Sequence, residues 1–344
     1  SEMCIRDRAN TQTTGHGGLS AEMKTYYGME LLENAKPQLV HNQFAATKPL
    51  PAGGGKTVEW RKFGSFDKAL TPLTEGVTPD GSGISVSYIT KELAQYGDYT
   101  TVSDMLDLTA IDDVVLEITD RHGSNMGLTL DTVTRNEIQQ GSQVIYAPVQ
   151  GEGGSQTDVL HRYDLTDKCK LTSELVAKAA TQLKKMNAPT FDGKYVCIIH
   201  PSVAFDLRQD EAWIAAHQYA GATELFSGEI GELHGVRFIE TTEAKIFNGE
   251  GCPVKTAADE SKGTPAEYYS VYATLFLGKD AYGMIDPEGG NLEMIIKDKG
   301  QVGGPLNQFS TLGYKFSSAA KILYEDRMVR VESCGAYSAE DEAN

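Results

Sequence analysis

Gln95-Tyr96-Gly97-Asp98-Tyr99-Thr100-Thr101-Val102-Ser103-Asp104-Met105-Leu106-Asp107-Leu108-Thr109-Ala110-Ile111-Asp112 opens the stretch on which the architecture turns. Residues 95–103 read as a strand. Thr109 is then placed to cap a helix, with Asp112 and Asp113 favourable at its positive N-terminal end. Val115, Ile118, His122, Met126, Leu130 and Val133 recur at three- and four-residue spacing as far as Gln140, and Gly141 supplies a stop. The spacing predicts one helix of about 43 Å, longer than a small domain is wide and suited to be a spine.

Upstream, two runs alternate with the period of strands. Over residues 56–63, Val58 and Trp60 share one face and Thr57, Glu59, Arg61 and Phe63 the other. Over residues 84–90, Ile84, Val86 and Tyr88 lie opposite Ser85, Ser87 and Ile89, so the two runs are expected to pair as a long antiparallel hairpin. The connection between them carries Pro72, Pro79, Gly76, Gly81 and Gly83, yet also Phe66, Leu70, Leu73 and Val77. A connection of that size usually marks a functional loop. A projecting loop that buries its apolar side chains on a neighbouring molecule is one reading, and an ordinary surface loop the other. Before the hairpin, the short apolar-periodic stretch Met29–Val40 reads as helical until Pro37 interferes, and residues 48–55 as a stop and hinge. Residues 1–25, poor in large apolar side chains, read as an arm.

Downstream of a Gly-rich linker at residues 147–158, the pattern changes to alternating helix and strand. Thr172 or Ser173 caps a helix striped with Leu175, Val176, Ala179, Leu183 and Met186, with Lys184 and Lys185 in its last turn. Strands are expected at 195–199, 236–239, 271–277, 292–296 and 314–323. Pro201 opens a further helix, continued by Trp213 and Ile214. Residues 248–267, rich in Gly, Lys, Asp, Glu and Pro, read as an exposed insertion.

Composition narrows the function. The chain has 344 residues with 31 Lys and Arg against 48 Asp and Glu, a net charge of −17. That surface repels phosphate, and no basic stripe argues for general nucleic-acid binding. No apolar run has transmembrane length, and no signal-peptide pattern is visible. The five cysteines are scattered without a C-x-x-C pair, which argues for free thiols. Gly53-Gly54-Gly55-Lys56-Thr57 imitates the end of a phosphate-binding loop, but Leu50 stands where the first Gly belongs and a strand follows where a helix is needed. His161, Asp164, Asp167 and Cys169 have no recognised metal spacing. His200 beside Asp206 lacks a nucleophile and reads as a structural histidine at a strand-to-helix corner. No catalytic, cofactor or metal site is expected.

Taken together, Gln95–Tyr99, Ser103–Asp112 and the helix after them resemble the tailed-phage major capsid protein family typified by coliphage N-four. So do Gly55–Arg61, Thr71–Pro79, Ile199–Pro201 and Gly228–Phe238, in the same order, over roughly residues 25–330. The resemblance implies an α+β fold of the Hong Kong 97 type. Residues 1–47 are then the N-terminal arm, 48–100 the extended hairpin loop, 101–147 with 291–344 the peripheral domain carrying the spine helix, and 148–290 the axial domain. It also implies a non-enzymatic subunit that self-assembles into hexamers and pentamers around packaged double-stranded DNA, which it encloses without sequence-specific binding. Each extended loop lies across a neighbour, burying Trp60, Phe63, Phe66 or Leu73, with Arg61, Lys62 and Lys68 facing acidic partners and Glu75 among the contact residues. Portal, scaffolding or decoration proteins are implied partners, with assembly in the host cytoplasm and residence in the virion. An encapsulin-like shell protein and an α/β enzyme with a lid loop are the alternatives.

Overall fold

A computed structural model describes residues 39–344 apart from 52–54, 65, 67, 69, 71, 73–74, 77–80, 82, 110–113, 152–154, 215–228, 257–265, 288–292, 298, 303–305 and 339–340. In chain order, a single 3-10 turn at His41–Phe44 leads into β1 (Ala46–Leu50), the hairpin β2 (Thr57–Phe63) and β3 (Val86–Glu92), and β4 (Ala94–Ser103). Helices α1 (Asp104–Thr109) and α2 (Val114–Ile138) follow, then the short strands β5 (Val144–Tyr146), β6 (Val149–Gln150) and β7 (Gln156–Thr157). Next come α3 (Ser173–Lys185), β8 (Tyr195–Ile199), α4 (Pro201–Gln209), β9 (Glu229–Leu233), β10 (Val236–Glu240), β11 (Ile246–Phe247), β12 (Val254–Thr256) and β13 (Glu267–Tyr268). The chain closes with β14 (Val271–Leu277), β15 (Tyr282–Pro287), β16 (Glu293–Lys297), β17 (Phe309–Ser318), β18 (Ala320–Ile322) and β19 (Met328–Cys334).

The main core is built on a mixed sheet in the order β5-β19-β14-β8-β10-β9, with β11 also paired to β14. Strands β8, β14 and β19 are buried along their whole length, as strands covered on both faces must be. Period-two alternation sorts their side chains. Cys197, Ile199 and Phe276 join Leu175, Val176, Ala179 and Leu183 of α3 on one face, while Val196, Ile198, Leu275 and Leu277 meet Ile138 and Tyr282 on the other. The expected stripe of α3 is therefore the observed one, and Thr172 caps it by accepting from the Leu175 N–H at 3.4 Å. At the next corner the His200 ring nitrogen Nδ1 accepts from the Ser202 N–H at 3.2 Å, with Pro201 in the first turn of α4.

A second sheet, β16-β17-β4, is fully registered from Phe309↔Ser103 to Ser318↔Ala94. It packs on α2 through Tyr314 and Phe316 against Met126 and Leu130. Residues 94–100, expected within the extended loop, thus belong to the body. So do Lys48-Pro49-Leu50, expected as a hinge: they lie in β1, which pairs in parallel with β15. Pro49 is tolerated because β1 is an edge strand of the order β1-β15-β18.

The buried side of the spine helix is more polar than its sequence spacing implied. The start expected for it, at residues 110–113 after the Thr109 cap, lies outside the described residues, and its described span α2 has 25 residues, about 37 Å. Of the expected stripe, His122 and Met126 are buried, but Thr119, Asp131, Thr134 and Arg135 are buried as well. Asp131 and Thr134 hold the segment that enters β1. Asp131 accepts from the His41 N–H at 2.7 Å and pairs with its ring at 2.6 Å, Thr134 bonds Asn42 at 2.5 Å, and the Tyr282 hydroxyl donates to the His41 carbonyl. Arg135 donates to the Glu243 carbonyl at 2.7 Å.

Residues 144–146 and 328–334, assigned to the peripheral half, are strands of the main sheet: β19 pairs with β14 and β5. Ala147 donates to Glu332 at 2.9 Å, so the chain does not leave that sheet at the expected linker. The described part of the expected insertion holds buried Cys252 and the β12–β13 pair. The arm and helix expected within residues 1–38 and the part of the insertion at 257–265 lie outside the described residues, as does the expected continuation of α4 beyond Ile214.

Candidate assembly interface

Hairpin β2–β3 is antiparallel, with Val58 opposite Lys91, Trp60 opposite Ile89, Arg61 opposite Tyr88 and Phe63 opposite Val86. Its pleat therefore has two unlike faces. The inner face docks on the body: Val58 is buried with Ile285 and Ala319, and Trp60, Leu50 and Leu93 pack around them. Lys91 anchors it by donating to Glu137 of α2 at 2.8 Å, and Lys321 of β18 donates to the other oxygen at 2.8 Å. Burial works to raise the Glu137 pKa, but the hydrogen bonds from Lys321 and Lys91 outweigh it and hold the carboxyl below its usual range.

The outer face has no such cover in a single chain. Phe63 is 58% exposed, Tyr88 59% and Ile84 54%, and in the loop Phe66 is 61% and Leu70 83% exposed. Large apolar side chains grouped in this way mark an interaction surface. The ladder continues past the strands through Gly64 N–H to the Ser85 carbonyl at 2.9 Å; a Cβ at Gly64 would lie 2.1 Å from Ser85 Oγ. At the base, Gly55 takes φ +88°, where the chain leaves β1 for the hairpin.

Of the contact residues expected from the resemblance, Phe63, Phe66, Lys68, Glu75 and Arg61 are exposed. Arg61 lies 3.5 Å from Glu59 and 6.0 Å from the Tyr88 ring. Trp60 and Lys62 turn inward on their own chain: Trp60 joins the body cluster, and Lys62 Nζ stands 4.6 Å from the Tyr324 ring. Leu73 lies outside the described residues. Ile84, Val86 and Tyr88 complete the outer face and were not among the expected contacts. Their shared alternation was visible in sequence, but which face meets the body is set by residues 283–285 and 319–324, far along the chain.

The remaining candidates are structural. Lys56 pairs with Glu92 at 3.3 Å at the start of β2, so no helix N-terminus follows the glycine run. His200 stacks on Tyr272 with centroids 4.9 Å apart; burial lowers its pKa, against the opposing pull of Asp341. Among the described residues no group of three His, Cys, Asp or Glu side chains is arranged to hold a metal. Cys169, Cys197, Cys252 and Cys334 are free and buried, and burial pushes the Cys334 thiol up to about 12. Among the described residues no helix is long and apolar enough to cross a membrane.

Comparison of the fold finds capsid structures. A chain of the capsid structure of cyanophage P-SCSP1u matches with a TM-score of 0.60 at 15% identity, covering 85% of this chain and 87% of that one. The capsid of Ralstonia phage GP4 gives 0.61 at 14% identity over 89% and 90%, and a virus-like particle from Pyrococcus furiosus 0.51 at 10% over 90% and 100%. At such identities the likeness is one of fold, the Hong Kong 97 type. No curated protein matches the sequence. A family model described as phage capsid protein, however, matches residues 86–299, more than half of the chain. That match takes in β3 of the hairpin, the spine helix and most of the main sheet, so the polar spine belongs to a structural subunit of a viral head and not to an enzyme: the chain is a member of the phage capsid protein family.

Proposed function

We propose that copies of this chain associate into hexamers and pentamers that close an icosahedral head around double-stranded DNA, with each hairpin laid across the next copy. The observation that carries this is the outer face of β2–β3 and its loop, where Phe63, Phe66, Leu70 and Tyr88 are exposed together. Covering each such side chain contributes about 1.5–3 kcal/mol. A loop of one copy on the body of the next is a heterologous contact, which generates rings when the rotation closes, and many modest contacts then add up over a shell.

The net charge of −17 suits a container for DNA, since a wall that does not attract phosphate lets the polymer move during filling. Portal, scaffolding and decoration proteins, and assembly in the host cytoplasm, belong to the same proposal. The test is size-exclusion chromatography with negative-stain electron microscopy of the full chain and of a variant with residues 64–85 replaced by a two-residue turn. Capsomers or closed shells that vanish with the loop support the reading. A monomer indifferent to the replacement overturns it.

A further inference from the structure

Past β19, the described residues of 335–344 lie back against the main sheet and α4. The Ala336 N–H donates to Asp206 of α4 at 2.9 Å, and the Tyr337 ring stands edge-on to Phe205 with centroids 5.4 Å apart. Asp341 is held through both its side chain and its backbone. Its carboxylate accepts from the Tyr272 hydroxyl at 2.6 Å, and its carbonyl accepts from Ser270 Oγ at 2.7 Å and from Asn248 Nδ2 at 3.0 Å. Asn344 then reaches β11.

On one side β11 pairs with β14: Ile246 lies opposite Tyr272, and the Lys245 carbonyl accepts from the Ala273 N–H at 2.9 Å. Successive residues of a strand turn their backbone groups to opposite sides, so the Ala244 carbonyl and the Ile246 N–H face outward, a row of the kind that recruits another chain. Both are already bonded. The Asn344 side-chain amide accepts from the Ile246 N–H at 2.9 Å and donates to the Ala244 carbonyl at 3.1 Å, while Lys245 Nζ donates to the Asn344 main-chain oxygen. A residue of a parallel strand set opposite Lys245 would make the same two bonds with its own carbonyl and N–H, so the carboxamide stands in for a strand.

We propose that residues 335–344 are an edge cap, which occupies the outward side of β11 and keeps it from pairing with the same edge of a second copy. Every copy carries that edge, so two uncapped edges are self-complementary about a two-fold axis. Tyr272 ties the cap together. It pairs with Ile246 in the sheet and anchors Asp341, and a Cβ at Gly335 would stand 3.0 Å from its ring, so the segment is in contact with this side chain from its first residue.

The test uses the full-length protein with Asn344→Leu, which keeps the bulk and removes both amide groups, and with Asp341→Ala, which removes the carboxylate held by Tyr272. Asn344 is exposed, so its replacement leaves the core untouched. Amide hydrogen exchange is read at Ile246 and, on the other side of β11, at Ala273. Each change is expected to speed exchange at Ile246 about two- to tenfold, the worth of one hydrogen bond, with Ala273 unchanged. Thioflavin fluorescence and negative-stain electron microscopy then follow association, and both variants are expected to form thioflavin-positive material without a shell outline where the unaltered protein forms none. Unchanged exchange at Ile246, an equal rise at Ala273, or variants as dark in thioflavin as the unaltered protein each overturn the cap. The cap does not depend on the shell reading: an unaltered protein that builds no shell overturns that reading, while exchange and thioflavin still decide the cap.

Discussion

Glu137 is the residue at which three layers meet, because its two oxygens accept from Lys91 of the hairpin and Lys321 of β18 while its own backbone belongs to the spine helix. Its pKa is lowered, so it contributes stability that is present above the unfolded carboxylate value, near 4.3, and is lost as pH falls through the lower folded value. Thermal melts between pH 3 and 6 should therefore show the unaltered protein losing stability on acidification more steeply than Glu137→Gln; parallel curves would count against the link. Glu332 sets a different problem. It is fully buried and accepts from Arg162 through both oxygens at 2.6 Å and from Arg330 at 2.9 Å. Glu332→Ala strands two guanidinium groups, one of them buried, and is expected to lower stability by about 3–5 kcal/mol in urea unfolding. A loss under about 1 kcal/mol, the worth of a surface pair, would place this network in solvent.

At the scale of elements, what was legible is what has a period. The stripe of α3, the apolar run of β8, the Pro-opened α4 and the alternation of β2 each carry their environment in the spacing of apolar residues, and each is found where that spacing puts it. Strand β19 escaped because Arg330 and Glu332 interrupt its apolar pattern, and only the Arg162 partner from another part of the chain makes their burial possible. The spine helix misled for a related reason: its buried side includes Asp131, Thr134 and Arg135, whose partners His41, Asn42 and Glu243 are remote in sequence. In the hairpin, pairing was legible but not which face would dock, so Trp60 and Lys62 were expected to meet a neighbour and instead meet their own chain. The outer face makes an element-level prediction. Phe66→Ser with Leu70→Ser should leave the melting temperature of the isolated chain within about 2 °C, since exposed substitutions stay within about 0.5 kcal/mol, while abolishing assembly. A lowered melting temperature would mean that these side chains serve the chain's own core.

The whole molecule is a body completed by its copies. The main sheet and the spine give a rigid frame, and the hairpin extends from it with one face satisfied and the other not. Net charge then acts against association, since like-charged copies repel, and salt screens that repulsion within about 10 Å at 0.1 M. Assembly should accordingly be favoured by moderate salt where the apolar face dominates; an onset concentration that rises steadily with salt would instead make ion pairs the main driving force. The most direct measurement is hydroxyl-radical footprinting of the assembled and dissociated protein, read at individual side chains. Phe63, Phe66, Leu70 and Tyr88 should be protected on assembly while Trp60, already packed on its own chain, changes little. Equal labelling of those four side chains in both states would contradict the claim that the hairpin face is covered by a neighbouring copy.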